Sequence, residues 1–315
     1  MRRKSFRPLN FSKVRTYPSR TRLSKVQQSL LGKKIHKGLR LRSFLRGLPD
    51  ILAAQNLKEI ASKIAQAHRR NKTVLLGTGA HSIKVGLSPL IIDFIERGIV
   101  SAVAMNGAGI IHDFELAFMG KTSEDVASSL KDGSFGMAQE TGDFLNRAIA
   151  GGYAQGKGIG AAVGEAILEA RLPYRRLSIL AAGARVGAPA TVHVGVGTDT
   201  IHMHPNVDGK ALGEGSLRDF RALTTVVASL GGGVFLNFGS AVILPEVFLK
   251  ALTLARNLGH PVHNLTTVNL DFLAHYRPLT NVVHRPTLES GQGYHLTGHL
   301  EIMVPLLFAA VLEEL

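Results

Sequence analysis

The chain has no cysteine and no tryptophan among its 315 residues. Without cysteine there is no disulfide, no thiolate metal ligand and no thiol nucleophile, so those three chemistries are excluded. The lack fits a reducing compartment, and a cytoplasmic location is expected. The missing tryptophan excludes nothing. Long apolar runs are absent too. No stretch reaches the ~18 uninterrupted apolar residues a spanning helix needs, and the apolar C-terminal segment 301–315 carries acids, so no membrane association is expected. Hydrophobic residues still make up 45% of the chain, enough for one sizeable core.

Acidic residues are scarce in one region only. Residues 1–72 contain 20 of the 37 Lys and Arg but only Asp50 and Glu59, a balance of +18. The remainder holds 17 basic and 21 acidic residues, a balance of −4, so the basicity belongs to the N-terminus. A solvated basic extension over residues 1–42 and an α/β domain over 43–315 are expected. A basic arm suits an anionic partner or a transit signal. No RNA-binding signature accompanies it, so a nucleic-acid partner is not expected.

Beyond the arm, short apolar runs alternate with helical spacing. TVLLG, IVSAVAM, ATVHVGVG, a run after GGG and HNLTTVNLDF read as strands, with helices over 43–69, 88–98, 122–133, 216–230 and 244–259. Alternation of this kind implies a doubly wound, mostly parallel sheet with helices on both faces.

Ligands of open parallel sheets bind outside the carboxyl ends of the strands. Four glycine-bearing stretches follow apolar runs, at 77–81 (GTGAH), 106–109 (NGAG), 195–199 (GVGTD) and 231–233 (GGG), and all four are expected at that edge. Glycine there lets backbone N–H groups approach a phosphate or ribose. None completes GxGxxG with an acid downstream, so the standard dinucleotide fingerprint is missing. Asp199 stands where an acid would hold a ribose hydroxyl or an amine. His202 and His204 share a face if their segment is a strand, as substrate-orienting histidines or, with Asp199, as ligands of a divalent metal. His112, Asp113 and Glu115 follow the NGAG turn, and Asp113 reaches the cleft if a helix starts near Gly109. The alternative for Asp113 is helix capping.

Taken in order, several of these stretches resemble the deoxyhypusine synthase family. They are GTGAHSIKVGLSPLIIDFIERGIVSAVAMNGAGIIHDFELA, SILAAGARVGAPATVHVGVGTD, SLGGGVFLNFGSAVILPE, and VHRPTLESGQG followed by MVPLL, together spanning about residues 72–312. The resemblance implies a parallel α/β fold that binds NAD, oxidises spermidine by hydride transfer, moves its butylamine group to a lysine of a protein acceptor, and assembles as a homotetramer. It places cofactor contacts on Thr78, Ala80, Asn106, Gly107, Ala108, Gly109, Asp199, Gly231, Gly232 and Gly233. It matches Asp113 to an acidic residue near the NAD or amine site; together with Asp113, His202, His204 and Asn237 are expected to carry the catalytic chemistry, with no metal.

Two departures stand out. The family forms a covalent imine on a lysine after its RPDE segment, and here no lysine follows Lys250. An imine needs a primary amine, which no other side chain supplies. The family's histidine after the triple glycine is Asn237 here, which cannot shuttle a proton near neutral pH. The expected activity is an NAD-dependent amine transferase without the lysine imine. The rival expectations are a metal-dependent enzyme built on Asp199, His202 and His204, and a ligand-binding scaffold whose arm recruits an acidic partner.

Overall fold

The computed structural model describes residues 4–315. In chain order its strands are β1 (Val74–Thr78), β2 (Ala102–Asn106), β3 (Ala190–His193), β4 (Val234–Phe238), β5 (Leu265–Asp271) and β6 (Gly291–Thr297). The helices are α1 (Leu41–Gly47), α2 (Leu52–Arg69), α3 (Ala80–Lys84), α4 (Ser88–Glu96), α5 (Gly107–Met119), α6 (Val126–Ser129), α7 (Gln139–Ala154), α8 (Ile159–Glu169), α9 (Ile179–Val186), α10 (Gly209–Ala228), α11 (Ile243–Asn257), α12 (Tyr276–Pro278) and α13 (Leu300–Glu314).

All six strands are parallel, in the order β3-β2-β1-β4-β5-β6. Every residue of β1, β4 and β5 is buried, as expected of strands covered on both faces. The strand period of two divides the core. Val74 and Leu76 point into a cluster with Ile60 and Ile64 of α2, Phe94 of α4 and Phe308 of α13. Leu75 and Phe235 point the other way, against Leu223 and Val227 of α10 and Phe248 of α11. On the first face the Phe94 and Phe308 rings stack at 3.7 Å and tie α4 to α13. The expected doubly wound α/β architecture is therefore the fold.

The outer edge of β3 is closed by a helix. From α10, Asp219 accepts hydrogen bonds from the Val192 and Gly160 N–H groups at 2.8 and 2.9 Å. Ser216, one turn earlier, accepts from the Val194 N–H at 3.3 Å. A buried carboxylate thus serves an edge strand and the start of α8 together.

Several local expectations need correction. The 43–69 segment is two helices, because Pro49 cannot continue the first. The 122–133 helix shrinks to α6, capped by Asp125 rather than Thr122 or Ser123. Ser123 takes φ 71°, which no helix tolerates. The helix expected from 216 begins at Gly209, with Asp208 accepting from the Lys210 and Ala211 N–H groups. Residues 4–40 hold three short 3-10 turns and are almost wholly exposed. Among the described residues no helix is long and apolar enough to cross a membrane.

Candidate functional site

The strand order reverses between β1 and β4, and the carboxyl edge there is where such sheets take ligands. At the end of β1, Thr78 turns inward and donates to Ser82 Oγ at 2.7 Å. Ala80 then opens α3. The Gly79 N–H donates to the Phe238 carbonyl at 3.0 Å, and a Cβ on Gly79 would overlap the Gly239 carbonyl, so the β1 and β4 turns lie against each other. At the end of β2, Asn106 caps α5 by accepting from the Gly109 N–H at 3.1 Å. Gly109 packs on Met105, while Ala108 faces a cavity. Gly107 is glycine for a visible reason: a Cβ there would overlap the Asp199 carboxylate. The NGAG and GVGTD turns therefore meet, as expected.

The cavity beside them has a volume of about 180 Å³. Its wall includes Lys84, Ala108, His112, Glu115, Glu124 and Asp199. That is below the ~300–1,000 Å³ of pockets that enclose a drug-sized ligand, so it can hold one end of a dinucleotide or a small amine. Three carboxylates against one ammonium make it a site for hydrogen-bond donors and cations. Thr122 donates to Glu115 Oε2 at 2.5 Å, and Thr141 donates to Glu115 Oε1 at 3.2 Å. The single Thr122 hydrogen is thereby used, so the 2.6 Å contact with His112 Nδ1 requires that nitrogen to donate. Burial, with the nearby Lys84 charge, pushes the His112 imidazole down to about 4. His112 is thus neutral at pH 7, with Nε2 left as an acceptor on a ring that Thr122 and Glu115 orient.

Asp199 and His202 carry the most telling feature. His202 Nδ1 accepts from the Gly197 and Asp199 N–H groups at 3.1 and 3.3 Å, so its proton resides on Nε2. That Nε2 lies 3.9 Å from Asp199 Oδ2, and both atoms are buried without a hydrogen-bond partner. Burial raises the Asp199 carboxyl above its ordinary range, with His202 opposing. A buried donor and a buried acceptor left open cost roughly 1–3 kcal/mol each. A hydroxyl placed between them, accepting from His202 and donating to Asp199, would satisfy both.

Other expected site residues lie elsewhere. Asp113 does not reach the cleft. It is wholly buried, accepting from Ser178 Oγ at 2.5 Å and from the Ile179 and Leu180 N–H groups at 2.7 and 3.3 Å. It compensates the start of α9, the capping alternative, on a helix other than its own. His204 is not on a strand face with His202, because Thr200–Met203 forms a 3-10 turn. His204 is buried, and its Nε2 contacts the Gly136 carbonyl at 2.9 Å. The metal reading fails with it: among the described residues no group of three or more His, Asp or Glu could hold an ion. Asn237 is fully buried in the sheet, donating to the Ser240 carbonyl and Asn269 Oδ1 at 2.9 and 2.7 Å. Gly231, Gly232 and Gly233 precede β4 and so lie at the opposite, amino edge. There Gly232 takes φ 70°, and a Cβ on Gly233 would overlap the Thr73 carbonyl. These glycines let the chain enter the sheet. They lie across the sheet from the cavity.

His112 and Glu115 are the residues that the sequence reading left without a role. Their signal was present in the spacing: on a helix entering at Asn106, positions 108, 112 and 115 share a face and Asp113 does not.

No family model matches the chain, and no curated protein does. Solved structures share its fold. The AgrE protein in its ternary complex with ornithine and NAD+ aligns over 82% of this chain and 32% of its own, at 13% identity and TM-score 0.53. A conserved LOR/SDH candidate from Methanococcus maripaludis S2 aligns over 83% of this chain and 70% of its own, at 15% identity and TM-score 0.52. A candidate deoxyhypusine synthase from Entamoeba histolytica aligns over 89% of this chain and 95% of its own, at 12% identity and TM-score 0.48. The chain spans about a third of the AgrE protein. At these identities the likeness is one of fold.

Proposed function

We propose that the chain is a nicotinamide-dinucleotide-binding enzyme acting on a small amine, of the deoxyhypusine synthase type but without an enzyme–imine. The observation that carries this reading is the open pair of Asp199 Oδ2 and His202 Nε2 beside Gly107, where a ribose hydroxyl would meet one acceptor and one donor. Further support comes from the strand order and from the sequence motifs, which keep the family's order over most of the domain. The AgrE protein, which shares the fold, binds both a dinucleotide and an amine.

In this reading Asp199 and His202 hold a ribose, with Gly107 and Ala108 offering backbone. The start of α5 already faces the Asp199 carboxylate, which makes it a poor phosphate seat and a good hydroxyl seat. Glu115 and Glu124 hold the substrate ammonium, and neutral His112 accepts a hydrogen bond from it at Nε2. A nicotinamide ring held there would supply the hydride acceptor for oxidation of the amine-bearing carbon. Lys84 is the single amine among the cavity's lining residues, and it lies on α3, away from the C-terminal region where the family carries its lysine. An external amine would then have to add to the oxidised carbon and the substrate's original amine leave from it, with no bond to the enzyme. The residue 42 boundary belongs to the same reading, with the arm outside the catalytic domain.

The test is calorimetric titration of NAD+ into the protein and into Asp199→Asn. The amide keeps the size but turns an acceptor into a donor. Loss of one charge-assisted hydrogen bond, roughly 1.5–3 kcal/mol, predicts affinity weaker by tenfold or more with an unchanged melting temperature. An intact protein that binds no NAD+ at millimolar concentration refutes the cofactor assignment.

A further inference from the structure

The chain before α1 has a composition that the α/β domain does not use. Residues 4–40 hold eleven Lys and Arg and no Asp or Glu. The same stretch leaves Leu9, Val14, Leu23, Val26, Leu31 and Ile35 each more than half exposed, together with Phe6, Phe11 and Tyr17. Its three 3-10 turns contain no buried residue. Cations suit a solvated arm, but exposed aliphatic side chains gain nothing from water. A partner that satisfies both is anionic at its surface and apolar beneath.

The root of this arm is shaped. The Lys33 N–H donates to the Gly47 carbonyl at 2.8 Å, and the Asp50 N–H donates to the Leu30 carbonyl at 3.0 Å, so residues 30–33 are tied to the end of α1. Gly32 lies against Pro49, whose Cδ would stand 3.2 Å from an added Cβ. Between this loop and α1 opens a cavity of about 350 Å³, within the range of pockets that take small molecules. Phe44, Leu48 and Pro49 line it, and so do the exposed Ile35 and Leu39. Phe44 and Leu48 rest on the main core, which fixes that wall. Lys33, Lys34 and Arg46 also line the cavity, and no acid does. The acids nearby are engaged: Asp50 pairs with Lys58 at 2.8 Å, and Glu313 pairs with Arg42 of α1 at 3.7 Å. Three cations around an apolar pit match a molecule with one anionic head and an apolar tail.

We propose that residues 4–46 form a docking surface for a bilayer carrying anionic phospholipid, with one acyl segment entering the cavity and its phosphate meeting Lys33, Lys34 and Arg46. Stable attachment to a membrane surface takes two signals, and here a basic stretch and an apolar pit supply them together. Exposed aliphatic residues outnumber aromatic ones in the arm. That composition suits hydrocarbon better than nucleic acid, whose bases are held by stacking on aromatic rings. No described helix can cross a membrane, so the contact is peripheral. The expectation of no membrane association rested on the missing spanning runs, which a surface contact does not need. The proposal is independent of the cofactor reading, since none of these residues lines the Asp199 cavity.

The experiment is co-sedimentation of the full chain with vesicles of phosphatidylcholine alone and of phosphatidylcholine mixed with phosphatidylglycerol. Two double variants accompany it, Lys33→Gln with Lys34→Gln and Ile35→Ser with Leu39→Ser, and melting curves establish that each folds. The wild type is expected to bind the mixed vesicles and not the neutral ones. The lysine variant should weaken that binding about thirtyfold, ~2 kcal/mol. The aliphatic variant should weaken it about tenfold with its charge unchanged. Failure of the wild type to bind mixed vesicles overturns the proposal. Full binding by the folded aliphatic variant would show attraction by charge alone and overturns the acyl pocket. Tighter binding to single-stranded polyuridine than to mixed vesicles gives the arm to nucleic acid and overturns the lipid assignment.

Discussion

Replacing Asp113 by alanine separates a substrate-facing carboxylate from one that holds a helix. The substitution leaves the Ile179 and Leu180 N–H groups and the Ser178 hydroxyl buried without their acceptor. Two orphaned N–H groups at roughly 1–3 kcal/mol each, and the loss of the charge at the start of α9, amount to about 5 kcal/mol. Against this stands the cost of the buried charge. Burial pushes the Asp113 carboxyl up from 3.8 to about 6, its hydrogen bonds opposing. A folded-state value above the unfolded one means that the folded protein holds a proton which the unfolded chain has released. The Asp113 contribution is therefore complete below 3.8 and is lost as pH rises through about 6. From about pH 4.5 to 7.5 the cost of Asp113→Ala should shrink by ~2 kcal/mol, at ~1.4 kcal/mol per unit. With no tryptophan in the chain, urea denaturation followed by far-ultraviolet circular dichroism is the assay. A cost below about 1 kcal/mol at both pH values, or one that grows with pH, refutes the capping argument. Intact stability with lost amine binding would restore the substrate role expected from sequence.

Gly160→Ala should destabilise strongly, because the added Cβ would overlap the Ala190 carbonyl of edge strand β3 and only backbone movement can relieve it. A loss of ~1–3 kcal/mol or more is expected in thermal melts; a neutral result would mean that α8 and β3 are less closely packed. His193 is buried beside Thr191, and burial lowers its imidazole from 6.5 to about 4. Its neutral form is the folded one, so stability falls as pH drops below 6.5. His193→Gln should remove ~2 kcal/mol of that fall between about pH 6.5 and 5, read from denaturation midpoints at each pH.

Five of the six strands were legible because they are short, apolar and separated by helical segments, a local pattern that needs no tertiary information; β6 was not, because GQGYHLT is glycine-bearing, polar and partly exposed at the sheet edge. Gly107 and Asp199 were legible as turn residues, and the structure joins them. What failed was direction. The triple glycine was placed by its composition, yet an apolar run flanks it on both sides, and only the β4 boundary shows that it precedes a strand. Asp113 and His112 are adjacent in sequence and point to opposite sides of α5, one at Ser178 and one at the cavity. Deciding between them requires the helix phase, which Asn106 sets by capping at Gly109. Asn237 occupied a familiar motif position but lies within the strand, where its amide pairs with Asn269.

The Asp219 and Ser216 contacts to β3 have a consequence for assembly. Open parallel sheets present unpaired peptide groups at each flank, and such flanks recruit strands from other molecules. On the β3 flank, two side chains of α10 already take the outward amides of Val192 and Val194. A visiting strand would have to displace a buried carboxylate before it could pair. Growth of the sheet into a continuous intermolecular array is barred on that side, and copies of this protein that associate there must do so through helices.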